Sequence, residues 1–232
     1  MTGEKGYCLS PVELLILFGV SGITESLCME LPEQKDIGRE NMIKGLFHLV
    51  QNGLIEIAEN QEIKIHNSIG KLLDTVREAE KIWVQSTREH GSVKLQYLAE
   101  EKITVLEQDD ETGLFHLYGM KQEEWKLTVT DRHDGKELNS TQEGALLEKY
   151  MPEVQAEREE FTHDFLWNES DQRVFEVWEL IQKEKRECEI RIIFMEGILF
   201  SWMIVQQEET MEVFYNSREE RNALERKLRK IE

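Results

Sequence analysis

The sequence predicts an α+β protein. An N-terminal winged-helix-like unit precedes two related helix-plus-antiparallel-meander units, which form a central antiparallel sheet with quasi-two-fold symmetry. Three observations predict it. Two helical patterns between Pro11 and Asn52 are followed by two short strand patterns, Leu54-Ile55-Glu56-Ile57 and Glu62-Ile63-Lys64-Ile65. Two later stretches, 82–118 and 187–216, carry β-branched and aromatic residues at period two between short turns, as meanders do. Those two stretches echo each other. Setting Glu100 on Glu196 aligns their hairpins without a gap, and each ends in an aromatic pattern, Leu117-Tyr118-Gly119 and Phe214-Tyr215-Asn216. The units are expected at 1–67, 68–139 and 140–232, within one compact domain.

The elements follow in order. Ser10 is an N-cap with Pro11 at the first helical position, and Gly19 and Gly22 stop that helix. A second helix runs from Gly38 to Asn52, where Met42, Ile43, Leu46, Phe47, Leu49 and Val50 have helical spacing and Asn52-Gly53 is a stop. The two short strands turn at Glu59-Asn60. Ser68 to Lys81 is a third helix with Ile69, Leu72, Leu73, Val76 and Ala79 inward. Four strands follow: 82–87, 93–99, 102–107 and 114–118. Lys121 to Val129 fits helix or strand, and Thr130 to Asn139 is a polar loop. Thr141 to Met151 is expected to be helical and to end at Pro152. Glu153 to Asp171 is acidic but holds Phe161, Phe165, Leu166 and Trp167, too many aromatics for a free linker. Asp171 to Lys185 is expected as a helix with Val174, Phe175, Val177, Trp178 and Ile181 inward. The second meander then turns at Glu196-Gly197. Its middle strand, 198–205, is apolar on both faces and so belongs at the centre of its sheet. Ser217 caps a last helix, with Glu220 completing a capping box.

Composition narrows the function. With 40% hydrophobic and 32% charged residues the chain is an ordinary globular one. Its formal net charge of -19 disfavours nucleic-acid backbones and anionic membranes, and leaves a protein partner as the expected one. Residues 1–67 carry five basic and ten acidic residues, which argues against a groove-reading winged helix. No apolar run is long enough to span a membrane, and Pro11 to Val20 lacks the marks of a signal peptide. Three distant cysteines, Cys8, Cys28 and Cys188, fit a reduced cytoplasmic setting.

No catalytic pattern is found. The six histidines form neither HExxH nor a pair with cysteine, and His133 in Asp131-Arg132-His133-Asp134 reads as a surface turn rather than a metal ligand. Glu100-Glu101 and Glu208-Glu209 read as solvated hairpin corners rather than general acids and bases. Ser21 lacks the setting of a nucleophile elbow, and there is no phosphate-binding loop. The expectation is a non-enzyme with no catalytic residue, cofactor or metal. An enzyme would need a site assembled only by the fold, around His116, Glu100 or Asp109.

The layout, with Leu9-Ser10-Pro11-Val12-Glu13-Leu14-Leu15, Gly45-Leu46-Phe47-His48-Leu49-Val50-Gln51-Asn52-Gly53-Leu54 and Tyr97-Leu98-Ala99-Glu100-Glu101-Lys102-Ile103-Thr104-Val105-Leu106, resembles the EspG family, the cytosolic chaperones of type VII (ESX) secretion. The resemblance implies a quasi-two-fold central sheet and an adaptor that binds a helical secretion substrate and shields its apolar tip. The chain is shorter than the mycobacterial members, and its cysteine and methionine content is of low-GC type, so the implied substrate is of a different class. Partner contacts are expected at the sheet's rim: Glu196 and Gly197, the matching turn Glu100 and Glu101, and Phe161, Phe165 and Trp167. The alternative is a winged-helix transcriptional regulator with a C-terminal sensing domain.

Overall fold

The structure, a computed structural model, describes residues 6–24, 31, 37–87, 92–127, 149–163, 173–197, 201–208 and 210–228. The fold is mixed α+β, and the described residues form five α-helices, nine main strands and a separate two-stranded hairpin. The chain divides into two compact units, 1–125 with 179–188 and 126–178 with 189–232.

In the first unit, β1 (Tyr7–Leu9) pairs antiparallel with β7 (Phe115–Lys121), Tyr7 opposite Leu117 and Leu9 opposite Phe115. Three residues are too few for a period to show, so the sequence pattern does not mark β1. Ser10 then starts α1 (Pro11–Ser21) with a full capping box. The Glu13 amide donates to Ser10 Oγ, and the Ser10 amide donates to Glu13 Oε2 at 2.7 Å. Two orphan amides of the first turn are thereby satisfied. Gly22, at φ 71, ends the helix in the left-handed region that glycine favours.

α2 (Arg39–Gln51) packs closely on α1. A Cβ on Gly45 would stand 2.9 Å from Val12 Cγ1 and 3.0 Å from Ile16 Cδ1, so a glycine at this position is what lets the helices approach. β2 (Ile55–Ile57) and β3 (Ile63–Ile65) form the expected hairpin, Ile55 opposite Ile65. α3 (Asn67–Glu78) buries Ile69, Leu72, Leu73 and Val76, the face that its spacing predicts.

β4 (Lys81–Thr87), β5 (Val93–Ala99), β6 (Lys102–Gln108) and β7 make the expected antiparallel meander. Ile82, Val84, Leu95, Tyr97, Leu106 and Leu117 share one core with α3. On the other face Trp83 stacks on Trp125, ring centroids 5.7 Å apart. The Trp125 indole N–H donates to Gln96 Oε1 at 2.6 Å. The ambiguous stretch after Lys121 is thus a 3-10 turn over Gln122–Glu124 that delivers Trp125 to the sheet.

β8 (Val174–Gln182) corrects an expectation, since a helix was predicted there. Val174, Glu176, Trp178 and Leu180 are buried at period two, with Phe175 buried as well, but Glu176 interrupts the apolar signal. That glutamate is fully buried and accepts the Trp178 indole N–H at 2.5 Å. An acid made tolerable inside by a hydrogen bond disguised the strand. The helix expected directly before the second hairpin is therefore a strand, β8, just as β4 stands directly before the first hairpin.

In the second unit, α4 (Met151–His163) corrects another boundary. Lys149 is helical and Tyr150 a turn, so a helix does stop beside Pro152, and Pro152 itself stands in the first turn of α4, where its missing N–H costs nothing. The helix expected from Thr141 lies, up to residue 148, outside the described residues, as does the loop 130–139. β9 (Glu187–Glu196), β10 (Ser201–Gln207) and β11 (Thr210–Tyr215) pair antiparallel, Trp202 opposite both Met195 and Tyr215. β10 is covered on both faces, as expected: Trp202, Met203 and Ile204 are fully buried and Val205 nearly so. Trp202 stacks on Tyr215 with centroids 4.7 Å apart, meets Phe161 edge-on at 5.8 Å, and donates its indole N–H to Glu157 at 2.9 Å. α5 (Arg218–Leu228) is capped by Ser217, whose Oγ accepts from the Glu220 amide. In the first unit the strands are ordered β1-β7-β6-β5-β4, and in the second β9-β10-β11.

Candidate functional site

α2 carries more apolar residues than its one packed face can use. Gly45 and Leu49 are buried and Met42 and Leu46 half-buried on the side toward the core. Ile43, Phe47 and Val50 stand on the opposite side, at 56%, 64% and 41% exposure. Their spacing, i, i+4 and i+7, lines them up along one helix face. Ile57 on the neighbouring β2 is also exposed, at 49%. Single exposed apolar residues need no explanation, but a stripe of them along a helix is the mark of an interaction surface.

The charges beside the stripe are few and partly neutralised. Glu40 and Lys44 form an i,i+4 ion pair at 2.8 Å along the helix. Arg39 is the other cation of α2. In a chain of net charge -19 this face is locally close to neutral, so an approaching apolar surface meets little desolvation cost there. The sequence pattern held the signal. Met42, Ile43, Leu46, Phe47, Leu49 and Val50 cover more than one third of the helix circumference, and a helix apolar on two sides needs two covers.

The residues expected at the partner contact lie elsewhere and do not converge. Glu100 and Glu101 form the exposed two-residue turn between β5 and β6, with Glu100 at φ 52. Glu196 ends β9 half-buried, its amide donating to the Arg173 carbonyl, and Gly197 follows it. Phe161 is fully buried against Trp202, a core position and not a rim contact. Phe165 and Trp167 lie outside the described residues.

Nor do His116, Glu100 and Asp109 form a catalytic cluster. His116 Nε2 stands 3.8 Å from Asp109 Oδ2 on the exposed rim of the β6–β7 turn. Asp109 Oδ1 accepts the amides of Glu111 and Thr112, which builds that turn. Hydrogen bonds from Thr112, then one from the Glu111 amide, with the electrostatic pull of His116 added, lower the carboxyl below its usual range. A depressed carboxylate held by its own turn is a structural group. Among the described residues no group of three or more His, Cys, Asp or Glu is placed to hold a metal ion. His133 lies outside them. No described helix is long and apolar enough to cross a membrane. Cys8 and Cys188 are exposed.

No protein-family model matches this sequence. No curated protein matches it either.

Proposed function

We propose that the chain is a non-enzymatic adaptor or chaperone that docks a helical partner protein on the exposed face of α2. The observation that carries this reading is the stripe Ile43, Phe47 and Val50. A helix is the natural cover for such a stripe, because i, i+4 ridges pack into the grooves of a second helix. Burying one such side chain contributes about 1.5–3 kcal/mol before the cost of association, enough for a reversible contact that a secretion or assembly step can undo. The resemblance in layout to the type VII chaperones makes the partner a helical secretion substrate or a relative of one, met in the cytoplasm. Two features support the finer architecture of that reading. The order α1, α2, β2, β3 follows a winged-helix outline, and two runs of four consecutive strands, β4–β7 and β8–β11, suit a quasi-two-fold sheet. A regulator that reads DNA would instead show cations on α2, and Lys44 is tied to Glu40.

A photo-crosslinking residue placed at Phe47 in living cells tests the proposal. Crosslinks to one helical protein, lost when Ile43 is also changed to Asp, are the expected result. Crosslinks only to a second copy of the chain, or the same set of proteins from a site at Lys64, would sink it.

A further inference from the structure

The apolar surface of α2 does not end at Val50. Gly53, at φ 66, closes the helix in a Schellman motif. Its amide donates to the Val50 carbonyl at 3.0 Å, and the Leu54 amide donates to the Leu49 carbonyl at 2.9 Å. The chain passes at once into β2. Ile55 and Ile57 are paired with Ile65 and Ile63 of β3, so these four side chains share one face of the hairpin. Ile55 is buried in the core, but Ile57, two residues nearer the tip, is 49% exposed. The hairpin carries its apolar face past the edge of the core and leaves Ile57 uncovered.

Charge divides between these neighbouring elements. α2 has Arg39 and Lys44 against Glu40, two minus one, or +1. Residues 52–65 have Lys64 against Glu56, Glu59 and Glu62, one minus three, or -2. The three glutamates are exposed, and none is held in an ion pair among the described residues. Glu62 accepts from Asn60 Nδ2 at 3.2 Å, while Glu56 and Glu59 have no such bond. The negative pole of the α2 dipole lies at the same end of the helix. The apolar stripe therefore runs from a nearly neutral helix toward an acidic rim. A second copy of the chain is a poor cover for it, because two surfaces of net charge -19 repel. A partner of opposite sign is attracted by the same field.

We infer that the partner helix is cationic: an amphipathic segment whose apolar edge covers Ile43, Phe47, Val50 and Ile57, flanked by lysine or arginine that faces the β2–β3 hairpin. This rests on the docking reading of α2 and adds the chemistry of the occupant. The apolar edge supplies most of the affinity. The charges supply attraction at a distance and reject acidic helices of the same shape. Glu56 and Glu59 lie at the border of the apolar surface, where solvent-exposed pairs act mainly on the association rate.

Two synthetic helical peptides with the same leucine edge, one flanked by lysine and one by glutamate, test it against the whole chain by fluorescence anisotropy. A third peptide keeps the lysines and replaces the leucines by serine. The lysine-flanked peptide should bind about tenfold more tightly than the glutamate-flanked one at low salt, and salt should narrow the gap. The serine peptide should not saturate. In the double variant Glu56→Gln, Glu59→Gln the preference for lysine should fall by about threefold or more. In Glu100→Gln, Glu101→Gln, which removes the same charge from the β5–β6 turn, it should stay. Melting temperature checks that each variant is folded. Equal affinity for the lysine and glutamate peptides would overturn the inference. So would a preference that survives the hairpin variant, or a lysine-flanked peptide that does not saturate at low-millimolar concentration. Phe47→Asp separates this inference from the reading beneath it. If that variant releases the lysine-flanked peptide while the hairpin variant leaves the preference intact, only the charge of the partner is wrong. If Phe47→Asp releases neither peptide, the docking face itself is wrong.

Discussion

α2 and α3 are near-equal in length, 13 and 12 residues, and sit in the same unit, yet they use their apolar residues differently. α3 places Ile69, Leu72, Leu73 and Val76 on one stripe and buries all of it. α2 divides its set, with Leu49 inward and Ile43, Phe47 and Val50 outward. The first helix is fully explained by the fold that contains it. The second is explained only in half, because exposing large apolar side chains earns nothing in stability. Folding and binding therefore act on separate faces of α2, and on α3 folding alone acts.

That contrast can be broken at several points. Leu73→Ala on α3 should have the largest effect, a loss of about 2–5 kcal/mol in denaturant unfolding, because it opens a cavity in a sealed core. A loss below 1 kcal/mol would mean that α3 is not sealed. Gly45→Leu on the buried face of α2 comes next. It should cost about 1–3 kcal/mol by pushing on Val12 and Ile16, outweighing its better helix propensity. Near-parental stability would show that the α1–α2 contact is slack.

A smaller effect concerns the sheet face away from α3. Lys94 lies 3.4 Å from Glu107, and the Tyr118 hydroxyl donates to Glu107 at 3.4 Å. Burial disfavours the Lys94 ammonium, but Tyr118 and Glu107 outweigh it and raise its pKa above 10.5. Burial raises the Tyr118 phenol, with Lys94 opposing and Glu107 adding to the rise. Both groups have raised folded values. Their contribution is therefore full below about pH 10 and is lost as pH climbs through those values. Melting temperature should fall above that point, and less so in Tyr118→Phe; identical alkaline curves would remove the cluster from the account. The smallest effect on stability belongs to Phe47→Ala, within about 0.5 kcal/mol, although it should abolish the Phe47-dependent partner contact. A stability loss beyond 1 kcal/mol would mark the stripe as a covered surface.

Much of the first unit was readable from residue patterns. Ser10-Pro11 with Glu13, Gly22, and the period-two runs from Ile82 to Tyr118 each obey a local rule, and tertiary packing agrees with them. The second unit was harder. Glu176 broke the alternation of β8, and only its bond to Trp178 makes the strand intelligible. Val174, Phe175, Val177 and Trp178 are β-branched or aromatic residues, and that enrichment was the better signal. The candidate site was present as composition but not as exposure. Sequence spacing showed that α2 was apolar around more than one face, but which face met α1 depended on Gly45, whose packing role appears only in the fold.

The capping box at Ser10 ties two elements into one cooperative segment. Leu9, the last residue of β1, pairs with Phe115, and Ser10 next to it holds the first turn of α1. If the edge strand lifts off β7, the cap loses its fixed entry angle and the first turn frays with it. If the first turn unwinds, β1 loses its anchor. Amide protons of Leu9 and of the first turn of α1 should then exchange with one shared opening free energy, so that a thermal fluctuation at the sheet's edge is felt directly by the helix that supports α2.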